Sequence, residues 1–120
     1  MKVLEKEFIY DGFQHLQQDR EGNYAIYARL AVDPRTLEVF KEALTHYEVI
    51  RIKIQKPSTI TLEGAVFNIE EKEIYPKHYA WGIDGFSFHN YADAKNFFNA
   101  LISEKKEKED GMHSDNNPLG

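Results

Sequence analysis

HYAWGIDGFSFHNYADAKNFFNALI, residues 78–102, decides how the rest of the chain folds. Within it, Trp81-Gly82-Ile83-Asp84-Gly85 reads as a turn, because Asp84-Gly85 is a favoured turn pair. Phe86 and Phe88 alternate with Ser87 and His89, the period of a short strand with one aromatic, buried face. Asn90 suits a helix N-cap, and Asp93 holds the third helical position, as in a capping box. Tyr91, Ala94, Phe97, Phe98, Leu101 and Ile102 then fall on one helical stripe, so a helix is predicted to about Lys106. Burying its two phenylalanines and two aliphatics contributes about 1.5–3 kcal/mol each before entropy is counted.

Working outward, the upstream chain is rich in strand patterns. Residues 7–18 read as a strand interrupted at Asp11-Gly12, where Gly12 makes a bulge or a tight turn. Asp19 to Asn23 forms a hairpin loop leading to a second strand, Tyr24 to Val32, antiparallel to the first. Asp33-Pro34 followed by Leu37, Phe40, Ala43 and Leu44 predicts a short helix from Pro34 to about Thr45, with Asp33 as cap. Tyr47 to Lys56 alternates cleanly as a strand. Residues 59–74 read as two short strands or one irregular one, of the kind that wraps a sheet edge.

The composition bounds the class. A chain of 120 residues, 42% hydrophobic and without cysteine, forms one domain with a core that needs no disulfide or thiolate zinc site. The N-terminus lacks the apolar run of a signal peptide, and no window is long enough to span a membrane, which places the protein in the cytoplasm. The net charge is −5, of which the tail from Ser103 carries enough to leave about −3 on the body. Such a body binds polyanions poorly by bulk charge. The apolar residues stop near Glu104, so residues 1–106 read as a single domain and 107–120 as a disordered tail.

No catalytic signature stands out. His15, His46, His78, His89 and His113 are scattered and form no metal-ligand spacing, and surface or strand-edge roles account for them. Asp84 beside His89 would make a general acid only if the two converge, whereas turn and cap roles explain Asp84 and Asp93. Gly82-Ile83-Asp84-Gly85 is a lone Gly-x-x-Gly preceding a strand, which reads as a turn rather than a backbone clamp. No cofactor fingerprint is present. Two surfaces remain as candidates. If Ile50, Ile52 and Ile54 face the helices with Ile26 and Leu30, then Tyr27, Arg29, Arg51 and Lys53 share the opposite face, a basic and aromatic set of the sort that binds single-stranded nucleic acid. A wet sheet face carries polar residues in any case, and the acidic net charge favours that plainer account. Trp81 is a core-edge residue or an anchor for a protein partner.

The order Tyr10-Asp11-Gly12-Phe13, Tyr47-Glu48-Val49-Ile50-Arg51-Ile52, Tyr75-Pro76, Trp81-Gly82 with Gly85-Phe86-Ser87-Phe88, and Ala94 with Phe97 resembles small uncharacterised proteins of bacteria and their phages. The resemblance spans most of residues 7–101 and implies a shared fold, with no activity and no catalytic residue attached. Trp81-Gly82, Gly85, Ala94 and Phe97 are also similar to the end of a WGR domain, a DNA-proximal module of some repair proteins, over about residues 79–106. Ile83 stands where that family has arginine, so this likeness implies a shared way of closing a sheet with a helix.

The sequence therefore predicts an α+β domain: an antiparallel sheet of four or five strands, with the C-terminal helix and the shorter middle helix on one face. The function expected first is a non-enzymatic binding or accessory module that acts through protein contacts or self-association. The alternative is a nucleic-acid-binding module using Tyr27, Arg29, Arg51 and Lys53.

Overall fold

In the computed structural model, which describes residues 1–114, hairpins build most of the sheet. β1 (Glu7–Tyr10) and β2 (Phe13–Glu21) are joined by Asp11 and Gly12, at φ 53° and 79°. That left-handed pair makes the two-residue turn whose twist matches its strands, so Gly12 serves a tight turn and not a bulge. A second tight turn leads to β3 (Tyr24–Val32), which pairs with β2 through a register shift between Gln17 and Asp19. β3 pairs with β4 (Val39–Arg51), and β4 pairs with β9 (Gly85–Phe88). The main sheet is thus five-stranded and antiparallel, in the order β1-β2-β3-β4-β9.

Between β4 and β9 the chain leaves this sheet. β5 (Lys53–Gln55) pairs with β8 (Lys72–Ile74), and β6 (Ser58–Leu62) with β7 (Ala65–Ile69). The β6–β7 hairpin does not wrap the sheet edge. It projects, with Leu62, Val66 and Phe67 between 52% and 63% exposed. A 3-10 turn at His78–Ala80 precedes Trp81, and helix α1 (Tyr91–Ser114) closes the fold.

The middle helix expected over residues 34–45 is absent. Asp33 and Pro34 start a turn instead: the Asp33 carboxylate accepts from the Arg35 amide at 2.8 Å, and Leu37 adopts φ 60°. Asp followed by Pro favours a type I turn as much as a helix start. The strand that follows runs 13 residues, because Val39 and Leu44 find partners in Val32 and Leu30. Ladder hydrogen bonds to β3 satisfy this backbone, and a helix of about twelve residues has little stability of its own.

The sheet is covered on both faces, which corrects the expected placement of the isoleucines. On one face α1 packs Ala94, Phe98 and Ile102 against Ile26 and Val49. On the other, Ala25, Tyr27, Ile50 and Ile52 pack with Leu4, Phe8, Tyr75 and Trp81. Ile50 therefore lies opposite α1, and Ile54 is 45% exposed. The helix start is as the sequence predicts: the Asp93 amide donates to Asn90 Oδ1 at 2.9 Å, and Asn90 Nδ2 returns a bond to Asp93 Oδ2 at 3.1 Å. Its end is not. The tail expected from residue 107 is helical as far as Ser114, and its remainder, 115–120, lies outside the described residues. Glu and Lys are good helix formers, and Lys108 pairs with Glu104 one turn back at 3.3 Å.

Candidate functional site

The sheet face away from α1 carries an unusual ladder. Strand register aligns Phe8 with His15, His15 with Arg29, Arg29 with His46, Tyr10 with Phe13, and Tyr27 with Glu48. Alternation then brings Phe13 and His15 from β2, Arg29 from β3, and His46 and Glu48 from β4 onto one surface. The segment after β8 crosses over it, bringing Tyr75 and Trp81.

Glu48 is the centre. It is 5% exposed, and its two oxygens are ringed by donors. The Tyr75 hydroxyl donates to Oε1 at 2.5 Å, and His15 Nε2 approaches the same oxygen at 3.4 Å. His46 Nε2 lies 2.9 Å from Oε2. Burial pushes the Glu48 carboxyl up, but the bonds from His15, Tyr75 and His46 outweigh it and hold the group at about 2. Burial, and then the Glu48 charge beside it, push the Tyr75 hydroxyl far above its ordinary range. His15 is held from both sides: its Nδ1 lies 3.1 Å from the Phe13 carbonyl oxygen, opposite the nitrogen that faces Glu48. Phe8 stacks on it at 4.9 Å with 5° between the planes.

Arg29 differs from its neighbours. Its guanidinium carbon lies 3.6 Å from the Phe13 ring centroid, a cation–π contact. Nη1 stands 3.9 Å from Glu48 Oε2, beyond hydrogen-bond reach. Nε is buried with no partner among the described residues. An arginine with five donors is thus pinned by stacking and left with donors to spare.

Above this cluster opens a pocket of about 250 Å³. Tyr10, Phe13, Tyr75 and Trp81 contribute to its walls, and Arg29, His15 and Glu48 line it from the sheet. Asp11 and His78, 3.4 Å apart, lie at the exposed rim. Trp81 stacks near Tyr75 at 6.4 Å and donates its indole N–H to Ser87 Oγ at 3.0 Å. A Cβ on Gly85 would lie against the Trp81 ring, closer than real Cβ contacts come, so that glycine sets where the wall stands.

The residues singled out from sequence are placed as follows. Trp81 and Arg29 line the pocket. Tyr27 is fully buried beneath it, donating its hydroxyl to the Glu5 carbonyl oxygen at 2.9 Å. Arg51 pairs across from Tyr24, which puts it on the α1 face. Arg51 and Lys53 both hold Asp84, at 2.6 Å and 3.2 Å. The four residues Tyr27, Arg29, Arg51 and Lys53 therefore do not share one open face. Asp84 is occupied by these two cations and is not paired with His89, which is exposed. Burial raises the Asp84 carboxyl and the bonds from Arg51 and Lys53 more than offset that, leaving it lowered.

Sequence reasoning passed over His15, His46, Glu48 and Tyr75. A signal was present: Phe13-x-His15, Tyr27-x-Arg29 and His46-x-Glu48 each put a charged or titratable group at strand spacing from another ring or charge. Only register shows that these pairs stack side by side. Among the described residues, no group of three or more His, Asp or Glu is arranged to hold a metal ion, and no helix is long and apolar enough to cross a membrane. Comparison with known protein families, with curated proteins and with solved structures finds no match for this chain.

Proposed function

We propose that this protein is a non-enzymatic binding module whose pocket over Glu48 receives one side chain of a protein partner, with Trp81 and Arg29 as contact residues. The observation that carries this reading is the pocket itself: about 250 Å³, walled by aromatic rings and based on an arginine with unused donors. Pockets that enclose drug-sized ligands run to roughly 300–1,000 Å³, so this one suits a single side chain better than a cofactor. The electrostatics take Glu48 and Tyr75 themselves out of acid–base catalysis. A carboxyl held at about 2 and a tyrosine pushed far upward exchange no proton near neutrality, where a general acid or base has to work.

The test is a nuclear magnetic resonance titration of the whole protein with single N-acetyl amino-acid amides. At least one side-chain class should shift the Trp81 indole and His15 ring signals at millimolar concentration, and Arg29→Gln should abolish the shift. If none of the panel moves those signals in the folded protein, the pocket is not a binding seat.

A further inference from the structure

Beside the pocket runs a second concavity, a groove of about 420 Å³ that shares Tyr10 and Tyr75 with it. The groove lies along β1, an edge strand of the main sheet, between that strand and the β8 segment. Lys2, Lys72 and Lys77 line it, all exposed and none in an ion pair among the described residues. Of the acids that line it, Glu73 is committed to Arg20, whose Nη1 and Nη2 grip its two oxygens at 2.8 Å and 2.7 Å. Glu5 is the remaining acid there. A chain with a net charge of −5 therefore gathers unpaired positive charge in this groove, which adjoins the pocket that Arg29 lines.

We propose that the partner engaged by the pocket is an extended acidic peptide segment, with one carboxylate meeting Arg29 in the pocket and flanking acids meeting Lys2, Lys72 and Lys77 in the groove. This rests on the pocket reading above and adds the partner's chemistry to it. Arginine forks match a carboxylate in two bonds, and stacking on Phe13 fixes the fork before the ligand arrives. An extended strand advances about 3.3 Å per residue, so a few residues reach from pocket to groove. The lysines act as exposed point charges, which steer encounter and weaken with salt. Single-stranded nucleic acid would meet the same lysines but would bring phosphates rather than a carboxylate to Arg29.

Fluorescence anisotropy on the full chain tests this. The probe is a fluorescein-labelled peptide, Glu-Thr-Glu-Tyr-Glu-Thr-Glu, with capped ends, set against its lysine counterpart and a labelled ten-residue oligothymidylate. The acidic peptide should bind, at least tenfold better than the other two, and should weaken as salt rises. Substituting Lys2, Lys72 and Lys77 together by Gln should cost tenfold or more, and Arg29→Gln as much, with Arg29→Lys recovering only part. The triple variant changes exposed side chains and leaves the core untouched, so its loss reports on the groove. Oligothymidylate binding that exceeds the peptide's and falls in the triple variant overturns the proposal in favour of nucleic acid. If no acidic peptide binds while N-acetylglutamate amide still shifts Trp81, the groove inference fails and the pocket reading stands. If neither acidic probe binds, the acidic-partner proposal falls, and the pocket reading stands or falls on the remaining amino-acid amides of the panel.

Discussion

Glu48 shows how one residue can hold a face of the molecule. Its carboxylate gathers His15, His46 and Tyr75 from three separate segments, so Gln in its place offers them one neutral acceptor oxygen and a competing donor where two charged oxygens stood. Breaking a buried charge cluster from one side costs about 3–5 kcal/mol, and Glu48→Gln should lower stability by that order in urea unfolding. The pH dependence follows from the direction of the shift. The folded-state value, about 2, lies below the ordinary 4.5, so the stabilisation is complete above about pH 4.5 and fades as pH falls towards 2. The stability gap between the native protein and Glu48→Gln should close as pH falls through that window. Both curves falling in parallel would show that Glu48 is not the group responsible. Gly85 makes a second residue-scale case. Gly85→Ala forces the Trp81 ring off its seat, an overpacking that costs about 1–3 kcal/mol. Trp81 is the one tryptophan, so its emission should shift to longer wavelength; unchanged emission would mean the wall has room to spare.

Elements differ in how much of the core they hold. Phe98 is 1% exposed at the centre of the α1 contact, and Phe98→Ala should cost about 3–5 kcal/mol. The β6–β7 hairpin contributes no residue to either buried cluster. Replacing residues 58–69 with a short turn should leave the far-UV circular dichroism of the sheet and helix in place and shift the thermal midpoint by only a few degrees. A collapse of the fold would show that the hairpin is structural. The elements also show what a local pattern can and cannot decide. Asn90, Asp93 and the stripe from Ala94 to Ile102 specify a helix because cap, propensity and period agree. Residues 34–45 carry a helical spacing of apolar groups too, yet become turn and strand. Asp33-Pro34 serves either outcome, and the neighbouring β3 backbone, which no local window contains, settles it.

At the scale of the whole molecule, the projecting hairpin and the long helix make the protein extended, with principal dimensions of 62 × 49 × 22 Å. Its radius of gyration is 18.2 Å, whereas a compact chain of this length has one of about 14 Å. Small-angle scattering from the monomer should give a value near the larger figure; one near the smaller would mean the arms fold back onto the body.

The sequence by itself determined the closing unit. The turn over Gly82–Asp84, the Gly85–Phe88 strand, the Asn90 cap and the apolar helix stripe are set by interactions between residues a few positions apart. It determined the antiparallel pairing of the Phe13–Glu21 and Tyr24–Val32 strands in the same way, through the short loop between them. Only the tertiary structure decided which face each strand residue takes. Because both faces of this sheet are buried, alternation marks two surfaces without saying which one meets α1, and pattern alone places Ile50 and Arg51 the wrong way round. Only the tertiary structure assembled the site as well. Phe13, His15, Arg29, Glu48, Tyr75 and Trp81 are distant in sequence, and it is strand register, fixed by hydrogen bonds between neighbouring strands, that makes them one pocket.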